Sequence, residues 1–183
     1  MNAYEHVAVA FSMVLSLGVV RLLDGLRPAL EPGRRYWVHA LWVFQKVLNQ
    51  AFNWWIFWSL REGVDWNVAS FLWILVVPSL LFLQATALVT ANPGAVDSWR
   101  EHFFAVRRWF FCVDVALILH AVITSSLLRG IPLLHPYRAL QAVGLTISIL
   151  GASFANPRLH AALAPVALAG QVLGLGWLFF RPG

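Results

Sequence analysis

Between Asp65 and Asp97 the chain runs thirty-one residues without a Lys, Arg, Asp or Glu. A helix of about 20 apolar residues crosses a hydrocarbon core roughly 30 Å thick, so a run of this kind is read as a membrane span. Residues 7–20, 139–157 and 161–180 are likewise free of charge except for the Arg158 that separates the last two. Two more runs reach spanning length only if buried polar residues are admitted. These are 36–60, which holds Lys46, and 109–128, which holds Asp114 and His120. Admitting both predicts an all-α, polytopic transmembrane bundle of about six spans, at 5–27, 36–60, 67–91, 99–128, 138–155 and 159–180, with the whole of 1–183 as one transmembrane domain.

Composition agrees with this class and excludes another. Only 11% of the 183 residues are charged and 60% are hydrophobic, where a soluble domain carries about 25% charged residues. The basic excess is 12 Arg and one Lys against eight acids. These Arg stand at the ends of apolar runs, where anionic lipid headgroups are the expected partner and nucleic acid is not. Residues 1–6 contain no Lys or Arg and no A-x-A site follows the first run, so that run is expected to be a retained span and not a cleaved signal.

Turn chemistry sets the breaks. Pro28, Pro32 and Gly33 are expected to end the first span, Asn92-Pro93-Gly94 the third, and Gly130, Pro132 and Pro136 the fourth. Ser98 and Glu101 read as a capping box opening the fourth helix, whose first ten residues would lie among headgroups. Arg21, Arg27, Arg34, Arg35, Arg100, Arg107, Arg108 and Arg158 fall on one side of the predicted membrane, and Arg61, Arg129, Arg138 and Arg181 on the other. The positive-inside rule makes the richer side cytoplasmic and puts both termini outside a bacterial inner membrane. Gly144, Ser148 and Ala152, and Gly170 with Gly174, recur at four-residue spacing and predict close helix approach, within the chain or between copies in a homo-oligomer.

The second span is the most informative. At 100° per residue, His39, Trp42, Lys46, Asn49, Gln50 and Asn53 share one arc, opposite Trp37, Phe44, Leu48, Ala51 and Trp55. Lys46 is the only lysine, and a charge at mid-bilayer costs about 2.5–3.5 kcal/mol on insertion scales unless it faces the bundle interior. Asp114 is the expected partner, with Arg21 in the same network. A polar path is expected from Glu5 and His6 through Asn53, Gln50, Asn49 and His120 to Lys46, Asp114 and Arg21, between spans one, two and four. Two functions follow from it: a small channel or carrier for protons, ions or a polar solute, or a non-catalytic membrane subunit with a structural polar core and an Arg-rich face that docks a partner protein or lipid.

Other readings are narrower. No nucleophile elbow, phosphate loop, HExxH or paired catalytic carboxylates occur, which points away from an enzyme. No cofactor is expected; haem is the one candidate the six His admit, although no two share ligand spacing on a helix. Cys112 reads as a core thiol, and Trp37, Trp66, Trp99, Trp109 and Trp177 as an interfacial belt, with Trp54, Trp55 and Trp58 as an outer cluster.

The segments Tyr36-Trp37-Val38-His39-Ala40-Leu41-Trp42, Trp54-Trp55 with Arg61, and Arg100-Glu101-His102-Phe103 through Arg107-Arg108-Trp109-Phe110-Phe111 resemble a group of small bacterial integral membrane proteins without an assigned activity. The resemblance covers spans one to four. It implies location and not mechanism.

Overall fold

A computed structural model describes residues 3–62, 64–128 and 130–179. The protein is all-helical. Six α-helices follow one another, α1 (Ala3–Leu30), α2 (Trp37–Trp58), α3 (Val68–Leu88), α4 (Trp99–Leu127), α5 (Tyr137–Ser153) and α6 (Pro157–Phe179), with a 3-10 turn at Pro93–Ala95. Among the described residues three are long and apolar enough to cross a membrane: α1, α3 with its 3-10 extension, and α4. At 1.5 Å per residue the 28 residues of α1 and the 29 of α4 reach about 42 and 44 Å. Both overrun a 30 Å hydrocarbon core, as expected for a helix whose first turns lie among headgroups.

The helix ends follow local chemistry, with two departures from expectation. Pro28 does not stop α1, which continues to Leu30; a proline this close to the end forfeits only one backbone bond, and its own carbonyl is taken by the Trp99 indole N–H at 2.9 Å. The chain then turns at Gly33, whose φ of +87° suits a residue without a Cβ. Ser98 caps α4 by accepting from the Glu101 N–H at 3.3 Å, one half of the expected box. The complete capping box belongs to α3, where Asn67 and Ser70 satisfy each other's backbone.

The core is divided. One cluster joins all six helices where α1, α3 and α5 end and α2, α4 and α6 begin, around Leu22, Trp42, Leu88, Phe103, Phe111 and Leu163. The other, at the opposite end, is built on Val7, Phe11, Phe57, Ile74 and Leu117, with no residue of α5 or α6 among the described side chains. Side chains pack directly onto two glycines. A Cβ on Gly25 would collide with the Val89 side chain, and one on Gly151 would stand 2.5 Å from the Phe111 ring.

The Gly144–Ser148 stripe packs α5 on α4 within the chain: Gly144 faces Ile118 and Ser148 bonds Asp114. Gly170 faces open space, with nothing within 4 Å of its would-be Cβ. Two readings of exposure need correcting. Cys112 is exposed on the outer surface of α4, because an apolar run does not reveal which azimuth faces the bundle. Trp99 is fully buried, stacked on His39 at 4.6 Å, and is not part of a belt. Trp37, Trp55 and Trp109 are exposed as belt residues are. The side chain of Trp177, and Arg129 and Arg181, lie outside the described residues.

Candidate functional site

Asp114 of α4 sits where four helices meet. Its Oδ1 accepts from Lys46 Nζ of α2 and from Gln84 Nε2 of α3, each at 2.5 Å, and its Oδ2 accepts from the Ser148 hydroxyl of α5 at 2.7 Å. All four side chains are buried. The pairing follows from the sequence of α2: Lys46 shares the buried face with His39, Trp42, Val43 and Gln50, so its ammonium cannot reach lipid. A desolvated ion pair is tolerable only when its remaining polar valences are filled, and Gln84 and Ser148 fill those of the carboxylate. Lys46 bonds a single oxygen. Its other N–H groups meet ring faces, with Phe110 at 5.3 Å and Trp42 at 5.9 Å from Nζ to centroid.

The pair forms the floor of a cleft. A cavity of about 240 Å³ lies between α2, α4, α5 and α6, lined by Lys46, Asp114 and the amides of Gln45, Asn49, Asn53, Gln141 and Gln171, with walls of Val77, Ile118, Ile147 and Val166. A second, of about 230 Å³, reaches Phe11 of α1, His120 and Thr124 of α4 and Ser59 and Leu60 beyond the end of α2. The two adjoin, sharing Phe52, Asn53, Ile56, Val77, Ala121 and Tyr137 as lining. Buried polar atoms here lack a partner. They are Trp42 Nε1, Gln45 Oε1 and Gln171 Nε2, and such groups are normally satisfied by protein, water or ligand.

The end of the bundle below this floor is fastened shut. Arg34 donates to the Gly94 carbonyl at 2.8 Å, tying the α1–α2 loop to the α3–α4 loop, and also pairs with Glu31. Arg21 donates to the Thr90 carbonyl at 3.1 Å. His39 and His102 both reach the Leu88 carbonyl, and His160 reaches the Phe154 carbonyl at 2.9 Å. These are the unpaired carbonyls that helix ends leave behind. Phe103 and Phe111 fill the space between them. At the opposite end Arg138 gathers the α4–α5 connection, donating to Ser125, Ser126 and Gln141 at 2.7 Å each and to the Ile131 carbonyl at 2.8 Å.

The structure brings together part of the expected path. Lys46, Asp114, Asn49 and Asn53 line the cleft, and His120 lines its outer part, stacked on Trp73 at 4.5 Å and bonded to that residue's carbonyl. Gln50 does not: it turns toward α1, where a Cβ on Gly18 would stand 2.7 Å from its amide. Arg21 is engaged with Thr90 and makes no bond to Asp114. Glu5 and His6 are exposed at the start of α1 and line neither cavity. The floor of the cleft therefore lies between α2, α4, α5 and α6, while its outer part, at Phe11, Phe52 and His120, lies among the first, second and fourth helices as expected. Depth along a helix does not give azimuth, which is why Arg21 and Gln50 were grouped with the pair.

Gln84 was legible and overlooked. It is the one amide in the most apolar helix, four residues before its end, and a lone amide there must find a partner.

The histidines are committed to the backbone. His39, His102, His120 and His160 each use Nε2 toward a carbonyl, and the Nδ1 of His120 is taken by the Thr124 hydroxyl at 3.3 Å. Among the described residues no three His, Cys, Asp or Glu side chains gather as a metal site.

Compared with known proteins, the chain matches no family model, no curated protein and no solved structure. What the residues define is a helical membrane protein with a polar-floored internal cleft.

Proposed function

We propose that the protein is a small carrier that moves a polar solute across a bacterial inner membrane through the cleft between α2, α4, α5 and α6. All six helices span the membrane in this reading. The Arg-rich end is cytoplasmic and both termini are outside, by the distribution of Arg. The observation that carries the proposal is the Lys46–Asp114 pair at the floor of a cleft with unpartnered polar atoms facing it. A buried ion pair contributes little net stability compared with apolar packing, so a structural role alone gives no reason for a cavity beside it.

Under this orientation the cleft opens outward and the aromatic and histidine layer closes it inward. One closed end suits alternating access better than a continuous pore. A second reading is favoured by one feature: Asp114 cross-links four helices, as a purely structural core of an accessory subunit would, with the Arg-rich face docking lipid or a partner.

Flux in proteoliposomes separates the two. Proton movement is followed with an entrapped pH dye and solute entry by stopped-flow light scattering, with wild type beside Lys46→Met and Asp114→Asn. The carrier reading requires flux above that of empty vesicles which both substitutions reduce. Equal flux in all three proteins, or none above background, overturns it.

A further inference from the structure

The charge on the lining of the cleft cancels. Among the described residues Lys46 and Asp114 are its only Lys, Arg, Asp or Glu side chains, and they are paired with each other. An ion entering would shed water without meeting a counter-charge, a cost of several kcal/mol in a low-dielectric site. An ammonium is excluded a second way. Both oxygens of Asp114 are already held, by Lys46, Gln84 and Ser148.

What remains unmet in the described lining is mostly donors, Gln171 Nε2 among them, against the one unpaired acceptor Gln45 Oε1. Lys46 gives one N–H to Asp114 and has no other oxygen partner, and the Trp42 indole N–H, 1% exposed, has no acceptor at all. Of the surrounding amides, Gln45 and Gln171 keep a polar atom without a partner, whereas Gln141 Oε1 is held by Arg138 and Asn53 Nδ2 by Asn49. Above them the walls are aliphatic. A cavity of 150 Å³ holds benzene, so the 240 Å³ found here has room for a molecule of about ten non-hydrogen atoms.

We infer that the cleft selects small uncharged solutes that present an acceptor oxygen, such as a carbonyl, to Lys46 and Trp42 and lay an apolar body along Ile118, Ile147 and Val166. The inference rests on the cleft being the binding site of the proposed carrier, and it narrows the substrate from protons and ions to neutral amides and their like.

Binding tests it separately from flux. Equilibrium dialysis against protein in nanodiscs, with empty nanodiscs as control, compares four probes of one size: benzamide, benzoate, benzylamine and toluene. Benzamide is expected to bind at least about tenfold more tightly than each of the others, the ratio a difference of 1.4 kcal/mol gives. Trp42→Phe removes the indole donor and keeps an aromatic core, and should weaken benzamide about tenfold. Lys46→Met/Asp114→Asn, which leaves no lone charge, should weaken it as much. A monodisperse elution profile and a cooperative melt establish that each variant is folded. No benzamide binding, equal binding of benzoate or toluene, or unchanged affinity in both folded variants overturns the inference. Benzamide binding without flux would sink the carrier and leave this inference standing, while proton or ion flux without benzamide binding would do the reverse.

Discussion

His39 and His102 converge on one atom: their Nε2 nitrogens lie 2.9 and 3.0 Å from the carbonyl oxygen of Leu88, the last residue of α3. The two imidazoles come from different helices, so a single orphan carbonyl ties α2, α3 and α4 together. Replacing either His by Leu leaves the carbonyl one donor, and each single variant should lose about 1 kcal/mol. The double variant strands a buried acceptor and should lose about 1–3 kcal/mol beyond the sum. Denaturation of the four proteins in detergent, read as a double-mutant cycle, checks this; strict additivity would count against the shared cap.

Lys46→Met leaves the Asp114 carboxylate buried without a counter-ion. Breaking such a pair from one side costs about 3–5 kcal/mol, whereas removing both charges together is far milder. The variant Lys46→Met/Asp114→Asn should therefore melt closer to wild type than Lys46→Met alone. Far-ultraviolet melting curves decide it, and a double variant less stable than the single would contradict the pairing.

Close packing at Gly151 and open space at Gly170 predict opposite responses to one methyl group. Gly151→Ala drives a Cβ into the Phe111 ring, 2.5 Å away, and should cost about 1–3 kcal/mol. Gly170→Ala meets nothing within 4 Å and should be neutral or stabilising by up to about 1 kcal/mol, as Ala favours helix over Gly. Thermal midpoints of the two variants provide the comparison. A Gly170→Ala loss as large as that of Gly151→Ala would show α6 packed against something else.

Orientation can be read with thiol labelling. In a Cys112→Ser background, Glu62→Cys and Asp97→Cys place single thiols on exposed loop positions at opposite ends of the bundle. An impermeant maleimide applied to intact spheroplasts should label position 62 at once and position 97 only after permeabilisation. The reverse pattern would place the Arg-rich end outside.

The sequence made some of this legible and hid the rest for identifiable reasons. Six helices could be read because charge-free runs and Pro or Gly breaks are local signals, and all six appear close to the expected ranges. The meeting of Lys46 with Asp114 could be read because each is an isolated charge in an apolar run. Their further partners could not. Gln84 and Ser148 lie on α3 and α5, and their arrival at the same carboxylate depends on how four helices rotate about their axes. The same missing rotation put Cys112 in the core and Trp99 at the surface, and hid the part that α5 and α6 take in walling the floor of the cleft. Backbone carbonyls explain the histidines: a helix end's need for a donor is invisible until it is known which side chain passes by.

The separation of 68 positions from Lys46 to Asp114 also has a meaning in time. A chain lengthening by about 5–20 residues per second leaves the lysine without its aspartate for roughly 3–14 s after α2 has emerged. During that interval the ammonium has no carboxylate to meet, so the place of Lys46 inside the bundle is settled only with the arrival of α4. The last element to reach Asp114 is Ser148 of α5, so the knot at the centre of the bundle is complete only when five of its six helices have been made.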